Sequence, residues 1–79
     1  MADQVLDATG LNCPLPILKA KIALKSLANG QTLEILSTDP SSVVDFAAFC
    51  RATGNELLQL NEQDGVLTYL IRKNTNSQR

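Results

Sequence analysis

The sequence predicts an α+β fold: a two-layer α/β sandwich in the order β-α-β-α-β-β, with a four-stranded mixed sheet and two helices on one of its faces. Three observations lead to this fold. Two segments have apolar residues at helical spacing, each beginning beside a proline and ending near a glycine. Four shorter apolar segments are typical of strands. The last two are separated by Asp64-Gly65, a strong hairpin signal.

The size and composition are those of one domain over residues 1–79, which would bury about 60–65% of its unfolded surface. Hydrophobic residues make up 44% of the chain and charged residues 19%, which argues against disorder. Residues 74–79 are polar and lack periodicity, so we expect them to form a disordered tail.

The composition also disfavours several function classes. The formal net charge of -1 gives no electrostatic footprint for nucleic acid. No segment has the pattern of a signal peptide or a membrane span, so we expect a cytoplasmic protein. Two cysteines and no histidine predict free thiols in a reducing compartment, with no structural metal site and no cofactor.

The first strand is predicted at Val5–Ala8 and ends at Thr9-Gly10. A helix follows from Cys13 to about Ala28, and Gly30 is expected to stop it in the left-handed C′ conformation. Residues at helical spacing define its core face: Ile17, Ala20, Leu24, Leu27 and Ala28.

The second half repeats this pattern and then changes to a hairpin. A strand at Thr32–Thr38 leads to Asp39-Pro40, where Asp39 is expected to be the N-cap of a second helix that ends at Gly54. The core face of this helix comprises Val43, Phe46, Ala47 and Cys50. The two last strands are predicted at Leu57–Asn61 and Val66–Ile71.

The start of the first helix is the chemically informative stretch. Pro14 suits the first helical position because its φ is already helical and it has no N–H to satisfy. The residue before a proline is biased towards extended backbone, so Cys13 is the expected N-cap. Pro16 removes a second N–H, which leaves the N–H groups of Leu15 and Ile17 as the expected donors towards the sulfur.

This geometry would make Cys13 a nucleophile. Backbone N–H donors and the positive end of the helix dipole favour a thiolate, so we expect the pKa of Cys13 to lie below the ordinary value of about 8.5. Cys50 lies on the predicted core face of the second helix, and we expect it to be a buried, inert thiol.

Several short segments spread along the chain form a recognisable set: Leu6-Asp7-Ala8, Gly10-Leu11-Asn12-Cys13-Pro14-Leu15-Pro16, Gly30, Thr38-Asp39-Pro40, Phe49-Cys50 and Leu70-Ile71-Arg72-Lys73. With these segments the chain resembles the TusA/SirA/YedF family of small sulfur-carrier proteins over nearly its whole length. The resemblance implies that Cys13 carries sulfur as a persulfide, with Pro14 and Pro16 shaping its helix start, and that Cys50 is not the carrier.

The resemblance also implies partners. The donor would be a cysteine desulfurase or another protein persulfide, and a downstream protein would accept the sulfur, in tRNA thiolation, molybdenum-cofactor synthesis or other sulfur trafficking. Members that serve tRNA thiolation typically have an acidic residue between the two prolines, where this chain has Leu15. We expect a monomer that binds neither membrane nor nucleic acid directly.

Two other functions are compatible with the residues. The chain could be a regulatory or protein-interaction module in which Cys13 is only a helix cap; function would then survive Cys13→Ser, which keeps a capping oxygen. It could also bind RNA, as small α/β domains often do, although its charge and its three aromatic residues give little support.

Overall fold

The computed structural model describes residues 2–12 and 14–74. The elements follow the predicted order β-α-β-α-β-β. They are β1 Gln4–Ala8, α1 Leu15–Lys25, β2 Thr32–Ser37, α2 Ser42–Thr53, β3 Glu56–Gln63 and β4 Val66–Arg72.

The four strands form one mixed sheet in the order β1-β2-β4-β3, which confirms the predicted fold class. β1 and β2 are parallel because α1 carries the chain back across the sheet between them. β3 and β4 are antiparallel because only Asp64 and Gly65 join them. Both turn residues have positive φ, 53° and 81°, as a two-residue hairpin turn requires.

The core lies between one face of the sheet and the two helices. Leu33 and Ile35 of β2 and Tyr69 and Ile71 of β4 are fully buried there, because alternate residues of a strand point to the same face. Phe46 of α2 packs on Tyr69 with 4.5 Å between ring centroids. The opposite face carries no helix of the described chain. Its residues are only partly buried, as Glu34, Leu36, Thr68 and Leu70 are.

Helix α1 is shorter than predicted. It begins at Leu15 and ends at Lys25, instead of running from Cys13 to about Ala28. At its end the N–H groups of Ser26 and Leu27 bond the carbonyls three residues back, at 3.2 and 3.1 Å, which tightens the last turn and stops the α-helical pattern. Ala28, predicted on the core face, is therefore exposed.

Gly30 does not end α1, and the prediction of a C′ glycine there is wrong. Its φ is positive, 92°, but it occupies the third position of a turn in which the Gln31 N–H bonds the Ala28 carbonyl at 3.0 Å. The Gly30 N–H donates to the Lys73 carbonyl at 2.8 Å, so this turn is fastened to the end of β4.

The carboxyl end of α1 is instead satisfied by a cation from the other end of the chain. Lys73 Nζ donates to the Leu24 carbonyl at 2.6 Å and to the Leu27 carbonyl at 2.8 Å. A positive charge at this end of a helix also interacts favourably with the helix dipole. Lys73 therefore ties the last strand to the first helix.

Replacing Lys73 by methionine should lower the free energy of unfolding by about 1–2 kcal/mol, because one carbonyl of α1 and one of the turn that follows it lose a charged donor. Urea unfolding would measure the change. Lys19→Met is the matched control, since Lys19 is exposed on the same helix; it should change stability by less than about 0.5 kcal/mol. Equal losses in the two variants would contradict a capping role for Lys73.

Candidate functional site

Two loops meet where β1 and β2 end. The strands are parallel, with Ala8 paired to Ser37, so their carboxyl ends lie side by side. Residues 9–14 lead from β1 into α1, and residues 38–41 lead from β2 into α2. We call this region the carboxyl edge. The positive ends of both helix dipoles lie there, which favours negative charge.

The loop after β1 folds back on the strand. The Asp7 carboxylate accepts hydrogen bonds from the Thr9 hydroxyl at 2.6 Å and the Thr9 N–H at 3.0 Å, and these bonds hold the pKa of Asp7 below its usual value. Gly10 has a φ of 81° in the turn closed by the Leu11 N–H and the Ala8 carbonyl, 3.3 Å apart. This conformation strains any residue with a side chain.

One hydrogen bond joins this loop to the loop after β2. The Gly10 N–H donates to Thr38 Oγ1 at 2.8 Å. Thr38 directly follows β2, so the contact links the carboxyl ends of the two parallel strands.

Cys13 lies outside the described residues, and its predicted role as a nucleophile remains a prediction. The residues on both sides of it are described. Asn12, Pro14 and Leu15 are exposed, with 44% of Leu15 accessible, whereas Pro16 is fully buried and anchors the first turn of α1.

The helix start differs from the prediction in two respects. Pro14, and not Cys13, is at the N-cap position, so the prediction that Cys13 caps the helix is wrong, and α1 begins at Leu15 instead of Pro14. The Leu15 N–H donates to the Asn12 carbonyl at 2.8 Å, so the expectation that it is an available donor towards the sulfur is wrong. The reason is that the Asn12 carbonyl, before the helix, already uses that N–H.

An open groove of about 410 Å³ begins at Pro14 and runs between the two helices. Ile17 and Phe49 supply apolar surface, while Lys21 and Asp45 supply charges. On the outer side of α1, Leu18 and Ile22 are 46% and 69% exposed, because they face away from the sheet. The exposed helix start is thus flanked by surface suited to contact with another protein.

Asp39 holds the turn that leads into α2. Its carboxylate accepts the Ser41 N–H at 3.0 Å and the Ser41 hydroxyl at 2.9 Å. The helix itself begins at Ser42 with Ser41 at the N-cap position, two residues later than a cap at Asp39 would place its start, so the prediction that Asp39 is the N-cap is wrong. The intervening turn is closed by the Ser42 N–H and the Asp39 carbonyl, 3.0 Å apart.

A buried network beneath this turn was not predicted. The Ser42 hydroxyl donates to the Asp39 carbonyl at 2.7 Å, so its oxygen is left to accept from the Tyr69 hydroxyl, 2.6 Å away. Burial raises the pKa of Tyr69, which keeps that hydroxyl protonated as a donor. Ser37, also buried, accepts the Asp39 N–H at 3.2 Å. A serine or threonine beside a strand end is the only local signal for such contacts.

The second cysteine is the inert thiol that the sequence predicts. Cys50 is 6% exposed on the core side of α2, and burial raises the pKa of Cys50 to about 11. A protonated, buried thiol is a poor nucleophile.

None of the helices in the described part of the chain is long and apolar enough to cross a bilayer. Within residues 2–12 and 14–74, no three side chains of histidine, cysteine, aspartate or glutamate are grouped as metal ligands would be.

Comparison with known proteins gives consistent matches. The sequence pattern of the family described as Sulfurtransferase TusA matches residues 4–73. The chain is 55% identical over 71 residues to sulfur carrier protein TusA of Allochromatium vinosum, covering 90% of this chain and 93% of that protein. It is 51% identical over 72 residues to a putative sulfur carrier protein of Neisseria meningitidis, covering 91% and 97%.

The fold has a solved counterpart. A SirA-like protein from Desulfitobacterium hafniense superimposes with a TM-score of 0.80 at 27% identity, covering 90% of this chain and 97% of that chain. The resemblance inferred from the cysteine-proline motif is confirmed over nearly the full length.

The raised pKa of Cys50 predicts a loss of stability at high pH. A thiol protonated up to about pH 11 when folded, but ionising near 9.0 when unfolded, contributes stability that is present below pH 9 and lost as pH approaches 11. In a Cys13→Ser background, the free energy of unfolding should therefore fall less steeply over this range after Cys50→Ala. Urea titrations at fixed pH would measure it, and equal slopes would contradict the assignment.

Proposed function

The chain belongs to the TusA sulfurtransferase family, and on this premise we propose that it is a sulfur carrier that holds its cargo as a persulfide on Cys13. The observation that carries the proposal is that Cys13 opens the Cys13-Pro14-Leu15-Pro16 motif within the matched residues and has exposed neighbours on both sides at the start of α1. A carrier thiol must be reachable by large partners, and Asn12 and Pro14 both face solvent.

The proposed reaction is two successive displacements at sulfur. The Cys13 thiolate attacks the outer sulfur of a donor persulfide, R–S–SH; the new S–S bond forms on Cys13 as the donor bond breaks, and the donor leaves as a thiolate. An acceptor thiolate then attacks the outer sulfur of Cys13–S–SH, which regenerates the Cys13 thiolate. Each step exchanges one S–S bond for another, so no external oxidant or reductant is consumed.

The chain's own residues suit this chemistry. The positive end of the α1 dipole lies at Pro14, the residue next to Cys13, and favours a thiolate over a thiol. The other cysteine of the chain, Cys50, is buried on α2, so it is poorly placed to attack a persulfide and release the sulfur. A dithiol oxidoreductase would need a second thiol close to the first.

The partners in this proposal are both proteins with reactive cysteines. The donor is a cysteine desulfurase, which carries a persulfide on its own cysteine, and the acceptor is a downstream protein of a sulfur relay. We place the relay in the cytoplasm, where thiols stay reduced. Leu15, exposed between the two prolines of the motif, presents an apolar rather than an acidic contact to these partners.

Mass measurement would test the proposal. After incubation with a cysteine desulfurase and free cysteine, the wild type should gain one sulfur that a reductant removes. Cys50→Ser should gain the same sulfur, since that thiol is buried. Cys13→Ser should gain none, because the serine hydroxyl cannot form a persulfide.

The two cysteine variants control for each other, since each removes one thiol. Sulfur uptake by Cys13→Ser, or no uptake by the wild type from several desulfurases, would contradict the carrier proposal. The second result would favour a protein-interaction module instead.

Leu15 should influence the docking of the donor. Leu15→Glu puts a carboxylate where an exposed leucine stands, and desolvating it against an apolar contact should slow desulfurase-dependent loading about tenfold. Leu15→Met keeps the apolar contact and should stay within about twofold. Initial rates of persulfide formation would measure both, and equal rates would exclude Leu15 from the docking contact.

A further inference from the structure

Two threonines at the two ends of β2 make the same kind of contact. Thr38 Oγ1 accepts the Gly10 N–H at 2.8 Å, beyond the end of β1. Thr32 Oγ1 accepts the Asp3 N–H at 3.1 Å, before β1 begins, and shares that N–H with the Thr32 carbonyl, also at 3.1 Å. Each hydroxyl thus ties a segment next to β1 to β2, but only the Thr38 contact lies at the carboxyl edge.

The loop before α1 is otherwise held by local bonds. Thr9 bonds Asp7, the Leu11 N–H bonds the Ala8 carbonyl, and both contacts lie within the strand end and the loop itself. The Asn12 carbonyl accepts the N–H of Leu15 at the start of α1, at 2.8 Å. Among the hydrogen bonds of the described residues 9–12, the Gly10–Thr38 bond is the one that reaches a segment distant in sequence.

Thr38 is a firm anchor although its side chain is exposed. It stands between Ser37 and Asp39, and the Asp39 N–H bonds Ser37 Oγ at 3.2 Å across it. The Asp39 carbonyl accepts the hydroxyl of buried Ser42, which in turn accepts from Tyr69 in the core. The backbone on both sides of Thr38 is therefore fixed to buried groups.

We propose that Thr38 is a positioning residue for sulfur transfer: its hydroxyl oxygen holds Gly10, and through it the loop that leads to Cys13. The inference rests on the proposed function of Cys13. Displacement at sulfur requires the attacking and attacked atoms to meet within a narrow range of distances and angles. A displacement of the loop by about 1 Å therefore lowers the rate of sulfur transfer. Thr38 does not touch the reacting atoms; it restricts the segment that carries one of them.

Three variants test the proposal. Thr38→Val keeps the shape of the side chain but removes the acceptor oxygen, and Thr38→Ser restores the oxygen. Thr32→Val removes a threonine hydroxyl that bonds the segment before β1 at the opposite end of β2, so it controls for the loss of a threonine hydroxyl between the β1 and β2 segments, although the Asp3 N–H keeps its bond to the Thr32 carbonyl. Thr38→Ala is a second variant without the acceptor, should valine disturb folding.

Two measurements apply to each variant. The rate of desulfurase-dependent persulfide formation is followed against donor concentration, which separates kcat from KM. Hydrogen exchange of the Gly10 amide reports directly on its hydrogen bond to Thr38, and it can be measured without sulfur transfer.

Thr38→Val should raise Gly10 exchange and lower kcat about tenfold with little change in KM. Thr38→Ser and Thr32→Val should both transfer sulfur within about twofold of the wild type. Unchanged Gly10 exchange in Thr38→Val, or faster exchange with unchanged kcat, would overturn the positioning role. If the wild type takes up no sulfur, the carrier proposal is overturned, and this inference with it. That outcome is distinguishable because persulfide formation is then absent in the wild type and in every variant.

Discussion

The parallel pairing of β1 with β2 is the constraint on which the candidate site depends. It sets Ala8 opposite Ser37, so the two strands end together and both helices begin at the carboxyl edge. The bond between Gly10 and Thr38 follows directly from this register. A slip of one residue would move Thr38 out of reach and turn the buried face of β2 towards solvent. The strand register, rather than any one side chain, thus sets the relative position of the two loops of the site.

Behind the carboxyl edge, the core supplies rigidity through polar contacts as well as apolar packing. Tyr69 packs on Phe46 and also donates to Ser42, whose own proton goes to the Asp39 carbonyl. A buried network of this kind is stabilising only when every member has a partner. Among the described residues no buried side-chain nitrogen or oxygen lacks one. The turn into α2 is therefore held from the interior, and through Thr38 it supports the loop in front of it.

The two cysteines illustrate how environment divides one residue type between two roles. Cys50 is enclosed by the core, which raises the pKa of its thiol to about 11. The residues beside Cys13 are exposed, at the positive end of a helix dipole. In the proposed mechanism the chain supplies one nucleophile and a contact surface, and its partners supply the rest. A mechanism that needs only one nucleophile is consistent with a chain of 79 residues that contains no histidine.

The sequence by itself determined the order of elements, the hairpin at Asp64-Gly65 and the burial of Cys50, because these depend on periodicity and on neighbouring residues. The motif at Cys13 indicated the family by resemblance, and the match over residues 4–73 confirmed it. Only the tertiary structure decided where α1 begins and ends, what Gly30 does, and that Thr38 holds Gly10. The predicted start of α1 is wrong because the Leu15 N–H bonds the Asn12 carbonyl. Residue propensities do not show which acceptor that N–H will use. The remaining contacts join residues 27 to 49 positions apart, and such partners become neighbours only when the sheet has formed.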